Sequence, residues 1–149
     1  MNQNKSKSSY QLINYESNIK IKLASLWTTL MFLYIYADYF ELKTPGTIEN
    51  MISLKTPVGE TTPELLIIFS IILIIPSMMI FLSIFLKPLM NKWLNIIFGF
   101  IYAAISILII ISGIGNKWQG FFVLYNIVEV FIFSTIIWQA WKWPKTKEI

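Results

Sequence analysis

Residues 64–86 read ELLIIFSIILIIPSMMIFLSIFL, and after Glu64 the run carries no charged side chain. A helix rises about 1.5 Å per residue, so this stretch reaches roughly 30 Å, the depth of a bilayer's hydrocarbon core. A soluble domain would have to surround such a helix completely, and a chain of 149 residues leaves too much of itself at the surface to do so. Lipid removes that difficulty.

Working outward, three further stretches reach spanning length: residues 21–42, 93–114 and 119–141. The expected fold is all-α, a four-transmembrane-helix bundle forming one membrane domain. Residues 1–19 form a polar tail, expected to be disordered, and residues 142–149 a second short tail. The tail is too long and polar for a signal-peptide start, so the first span is expected to remain as a signal anchor. One longer loop, residues 43–63, joins the first two spans. Composition agrees: 56% of residues are hydrophobic and 13% charged, against about a quarter charged in ordinary soluble domains.

Lysine placement orients the bundle. If four spans alternate, Lys5, Lys7, Lys20, Lys22, Lys87, Lys92, Lys142, Lys145 and Lys147 share one side, and Lys43, Lys55 and Lys117 the other. That asymmetry puts both termini in the cytoplasm and the 43–63 loop outside. Tryptophans mark the edges, with Trp93, Trp138, Trp141 and Trp143 on the inner interface and Trp118 on the outer one.

Several chemistries drop out. The chain has neither cysteine nor histidine. Disulfides, thiolate or imidazole metal sites, histidine-ligated haem and Ser-His or Cys-His pairs are therefore excluded. No metal or cofactor is expected. All twelve basic residues are lysine, so no guanidinium fork is present to grip phosphate or carboxylate bidentately. The lysines are spread over loops and tails, which argues against nucleic acid.

Local signals refine the spans. Thr61-Thr62-Pro63-Glu64 reads as a capping box opening the second span. Pro76 should kink that span and free a carbonyl, to be met by Ser77 or by a neighbouring helix. Gly99, Ala103 and Ser106 form a small-residue helix-packing face on the third span. In the loop, Leu42-Lys43-Thr44-Pro45 returns as Leu54-Lys55-Thr56-Pro57; a lid over an outward-facing pocket is one reading, and chance, which so short a repeat favours, is the other. Ile48, Met51 and Ile52 have the spacing of one amphipathic turn on the membrane surface.

Charge inside a membrane is costly and marks function by default. Glu129 lies near the middle of the fourth span, and Tyr125 and Asn126 share its face. The stripe Gln119, Phe122, Asn126, Glu129, Phe133, Ile136 should turn inward. On the first span Trp27, Met31, Tyr34, Asp38 and Glu41 form a matching seam, with Asp38 nearer the outside than Glu129. No lysine lies at the depth of Glu129. Asn126, Tyr34 or Tyr102 would supply its hydrogen bonds. A purely structural role as interhelical glue is the alternative, although such bonds average only about 0.6 kcal/mol.

The phrases Leu26-Trp27, Tyr34-Ile35-Tyr36-Ala37-Asp38, Tyr125-Asn126-Ile127-Val128-Glu129 and Trp141-Lys142-Trp143-Pro144 resemble those of small prokaryotic four-helix membrane proteins of unknown function. The chain is more loosely similar to DoxX-like proteins. The resemblance implies a cell-membrane location and brings no activity with it.

Three functions fit. A bundle cavity lined by Asp38 and Glu129 could bind or pass a small lipophilic molecule or protons, in a monomer or a homodimer. The Gly99 face could instead dock a membrane-protein partner, making the chain an accessory subunit. Least favoured is an intramembrane enzyme using carboxylic acids on a lipid or terpene, because the two acids sit at different depths.

Overall fold

A computed structural model describes residues 17–56 and 59–144 of the chain. The polar tail expected to be disordered lies, up to residue 16, outside the described residues. Four long helices carry the fold: α1 (Ile19–Glu41), α3 (Pro63–Phe85), α4 (Pro88–Gly113) and α5 (Gly120–Trp141). A short helix, α2 (Thr47–Ile52), and a two-stranded hairpin, β1 (Lys55–Thr56) with β2 (Gly59–Glu60), fill the loop between α1 and α3. Each long helix, α5 taken with the 3-10 turn Lys117–Gln119 before it, is long and apolar enough to cross a membrane.

α1 and α3 begin where a side-chain cap satisfies a free N–H group. The Asn18 side chain accepts from the Lys20 N–H at 2.9 Å, and Thr62 accepts from Leu65 N–H at 3.2 Å. The cap of α3 is thus Thr62, with Pro63 at the first helical position and Glu64 at the second. That register departs from the Thr61 capping box, because Pro63 is best placed where its missing N–H is not needed. The same preference starts α4 at Pro88, five residues before the hydropathy edge at Trp93. Asn91 and Lys92 are therefore helical.

α4 and α5 pack most extensively, α1 lies against both α3 and α5, and α3 touches α4 over a smaller area. The close approach of α4 to α5 depends on glycine: a Cβ at Gly99 would stand 2.8 Å from Ile137 Cγ1, and one at Gly113 2.7 Å from Val123 Cγ2. The core lies between the four helices. Leu23, Trp27 and Leu30 of α1 meet Met79 of α3, Tyr102 of α4, and Ile132, Phe133 and Ile136 of α5. Trp27 sets its ring edge-on to Tyr102 and Phe133, with centroids 6.3 and 5.8 Å away. Such contacts add about 0.5–1.5 kcal/mol each to the area they bury.

The exterior is apolar. From Leu66 to Ile74 nearly every large side chain of α3 is exposed, and exposed Ile, Leu and Phe residues cover the other long helices as well. In water this surface would drive aggregation; in lipid it is the natural boundary. Four spans with such a surface make the chain a multi-pass membrane protein in a bilayer environment.

In the loop, the two Leu-Lys-Thr-Pro phrases adopt different structures. Leu42 to Pro45 turn away from α1, whereas Lys55 and Thr56 form strand β1; Pro57 lies outside the described residues. α2 exposes Ile48, Met51 and Ile52, the side chains suited to a membrane surface.

Candidate functional site

Pro76 is buried in α3, and lacking an N–H it leaves the Ile72 carbonyl without its helical donor. The Tyr102 hydroxyl of α4 donates to that carbonyl at 2.6 Å. A neighbouring helix thus supplies the missing bond. The same bond commits Tyr102 to the backbone and removes it as a donor to Glu129, contrary to its expected place in that network.

Glu129 is 3% exposed, on the inward face of α5 with Asn126, Phe133 and Ile136. Among the described residues its one hydrogen bond comes from Ser106 of α4, whose hydroxyl donates to Oε2 at 2.9 Å. Ser106, expected only as a small packing residue, is the partner of the acid. It stands seven residues after Gly99, so the glycine that draws α4 onto α5 also brings the serine within reach. The Gly99 and Ser106 face is therefore covered by α5 inside the chain, with Ala103 half-buried beside the core.

Asn126 is 2% exposed and one turn from Glu129. Its amide does not turn to the acid: Nδ2 donates to the Phe122 carbonyl at 2.8 Å. Its Oδ1 is buried without a hydrogen-bond partner among the described residues. Tyr34 of α1 is half-buried within electrostatic range of Glu129, and its hydroxyl makes no hydrogen bond among the described residues. Asp38 is exposed one turn farther toward the loop end, and its charge also reaches Glu129. Tyr125 stands aside, its ring 6.5 Å from that of Phe40.

Tyr34, Ser106 and Glu129 each lie roughly two turns from the loop ends of their helices, a common level. Toward the termini the way is closed by Trp27, Leu30, Met79, Tyr102 and Phe133, all at most 5% exposed. Asp38, Tyr34 and Glu129 thus lie on the loop side of this layer, with Asp38 nearest the loop end. The described residues hold no group of three acids or other ligand types suited to a metal ion.

Beyond the aromatic plug lies a second buried polar group that hydropathy did not reveal. The Trp27 Nε1–H donates to Asn95 Oδ1 at 2.7 Å, and Asn95 Nδ2 donates to Asn91 Oδ1 at 2.7 Å. Asn91 Nδ2 in turn donates to the Ser83 carbonyl of α3. Every member has a partner, as a network that fixes packing requires. The signal was the four-residue spacing of Asn91 and Asn95, legible only once the helix is started at Pro88. Nearby, Lys20 Nζ donates to the Leu86 and Ile84 carbonyls at 2.7 and 3.1 Å, closing the end of α3.

No curated protein matches the sequence, and no solved structure does. Residues 10–148 match the sequence profile of a family of unknown function, DUF6326, and the chain belongs to that family.

Proposed function

We propose that this protein binds a small lipophilic molecule whose polar group carries a hydrogen-bond donor or a positive charge. The molecule enters from the loop end, and its polar group meets Glu129, Asn126 and Tyr34. The observation carrying this reading is the buried Asn126 Oδ1, an acceptor without a donor one turn from a buried acid. A buried group left unpaired costs about 1–3 kcal/mol, and a ligand N–H or O–H removes that cost. No described lysine pairs with Glu129, which leaves the place of the cation to the ligand.

The aromatic plug favours binding over permeation, because protons or solutes could pass only if Trp27, Tyr102 and Phe133 parted. An accessory-subunit role has less support, since α5 covers the Gly99 face. An enzyme has the least, as Asp38 and Glu129 occupy different surroundings. The likeness to DoxX-like proteins and a prokaryotic cell membrane rest on the sequence phrases alone.

The lysine asymmetry supports cytoplasmic termini, so the mouth of the site faces outward. In intact cells a membrane-impermeant thiol reagent should label Lys117→Cys and spare Lys142→Cys; the reverse pattern would invert the topology.

Thermal unfolding in lipid nanodiscs tests the binding itself, with 1-decanol, decylamine and decanoic acid as probes. Decylamine and decanol should raise the melting temperature and decanoic acid should not. A ligand at a hundred times its Kd stabilises by about 2.7 kcal/mol. Glu129→Gln should abolish the decylamine effect. Equal action of all three probes, or an effect that survives Glu129→Gln, would rule the site out.

A further inference from the structure

On the outside of the bundle, near the termini, α1 and α5 leave a hollow of about 350 Å³ between them. Its wall is mixed: Lys22, Ser25, Thr29, Thr135 and Gln139 supply polar groups, and Ile21 and Leu26 apolar surface. These polar groups interrupt a largely apolar outer surface.

The two helices run antiparallel, so the residues pair by depth. Lys22 and Gln139 lie within a turn of the helix ends, and Ser25 and Thr135 lie one turn deeper. A helix of this length, about 34 Å, barely exceeds a hydrocarbon core of about 30 Å. Lys22 and Gln139 are therefore at the headgroup boundary. Among the described residues Lys22 has no ion pair and Gln139 makes no side-chain hydrogen bond. The three hydroxyls are bonded to carbonyls of their own helices, for example Ser25 to Ile21 at 2.9 Å and Thr135 to Phe131 at 2.9 Å. Those carbonyls already serve the helix ladder, so the hydroxyls can turn outward without leaving a buried group unpaired.

No carboxylate among the described residues lines the hollow. A second copy of the chain packed here about a two-fold axis would set lysine against lysine, with no described carboxylate between them. An anion is the complement.

We infer that the α1–α5 hollow is a binding site for an anionic glycerophospholipid of the surrounding leaflet. The lipid phosphate meets the Lys22 ammonium and the Gln139 amide, its ester region meets Ser25 and Thr135, and its chains continue along Leu26. The site is separate from Glu129, on the opposite side of the aromatic plug.

Native mass spectrometry of the full chain, released from mixed micelles containing equal phosphatidylglycerol and phosphatidylcholine, tests this. One phosphatidylglycerol should be retained in preference to phosphatidylcholine. Lys22→Gln should weaken that retention about fivefold, the effect of one interfacial lysine. Lys22→Arg should keep it, as should Lys117→Gln at the loop end, and inorganic phosphate should not displace the lipid. Equal retention of both lipids, or unchanged retention in Lys22→Gln combined with Gln139→Leu, would overturn the site. So would displacement by inorganic phosphate alone, or disulfide-linked dimers of Ser25→Cys, which would mean that a second copy covers the hollow.

Discussion

A polar atom buried in a membrane bundle is stable only when something satisfies it, and single residues of this chain fall on both sides of that rule. The Ile72 carbonyl loses its donor to Pro76 and regains one from Tyr102. Asn95 takes the Trp27 indole N–H and gives its own N–H groups to Asn91. Asn126 Oδ1 receives nothing. The satisfied cases make a direct prediction. Tyr102→Phe should cost about 1–3 kcal/mol by leaving the Ile72 carbonyl bare. In a Pro76→Ala background the helix supplies its own N–H, so the same change should cost clearly less. A double-mutant cycle read by thermal unfolding in nanodiscs measures that difference; equal costs in both backgrounds would mean that the bond does not serve the carbonyl.

At the level of elements, hydropathy showed where helices had to be and was silent on how they met. Residues 64–86 could be nothing but a span, and the structure begins α3 one residue earlier. The start of α4 was misplaced because Asn91 and Lys92 lower the local hydropathy, while Pro88 starts the helix for a steric reason that hydropathy does not weigh. That displacement hid the Asn91–Asn95 cluster. The inward stripe of α5 was legible from spacing, since Asn126, Glu129, Phe133 and Ile136 are three or four residues apart and all are buried. The partner of Glu129 was not. Pairing Ser106 with Glu129 depends on the separation of α4 and α5, set by the contact of Gly99 with Ile137. One strand of sequence carries no record of that distance. The hairpin of β1 and β2 escaped notice because two-residue strands leave no periodicity to read.

For the whole molecule the consequence is a bundle divided in two by an aromatic plug. The half nearer the termini is closed by a complete polar network and by Lys20 on the carbonyls at the end of α3. The half nearer the loops keeps an acid with one partner, an amide oxygen with none, and a tyrosine hydroxyl still free among the described residues. Folding alone would favour apolar side chains at such positions, and the proposed ligand would account for their presence by completing them. Replacing Asn126 by leucine separates these accounts most directly, because it keeps the approximate volume and deletes the unpaired oxygen. In ligand-free nanodiscs, Asn126→Leu should melt at the same temperature as the native chain or higher, with a gain of about 1 kcal/mol or more. A loss of 1 kcal/mol or more would place Asn126 among the groups that hold the bundle together and contradict a binding site at Glu129.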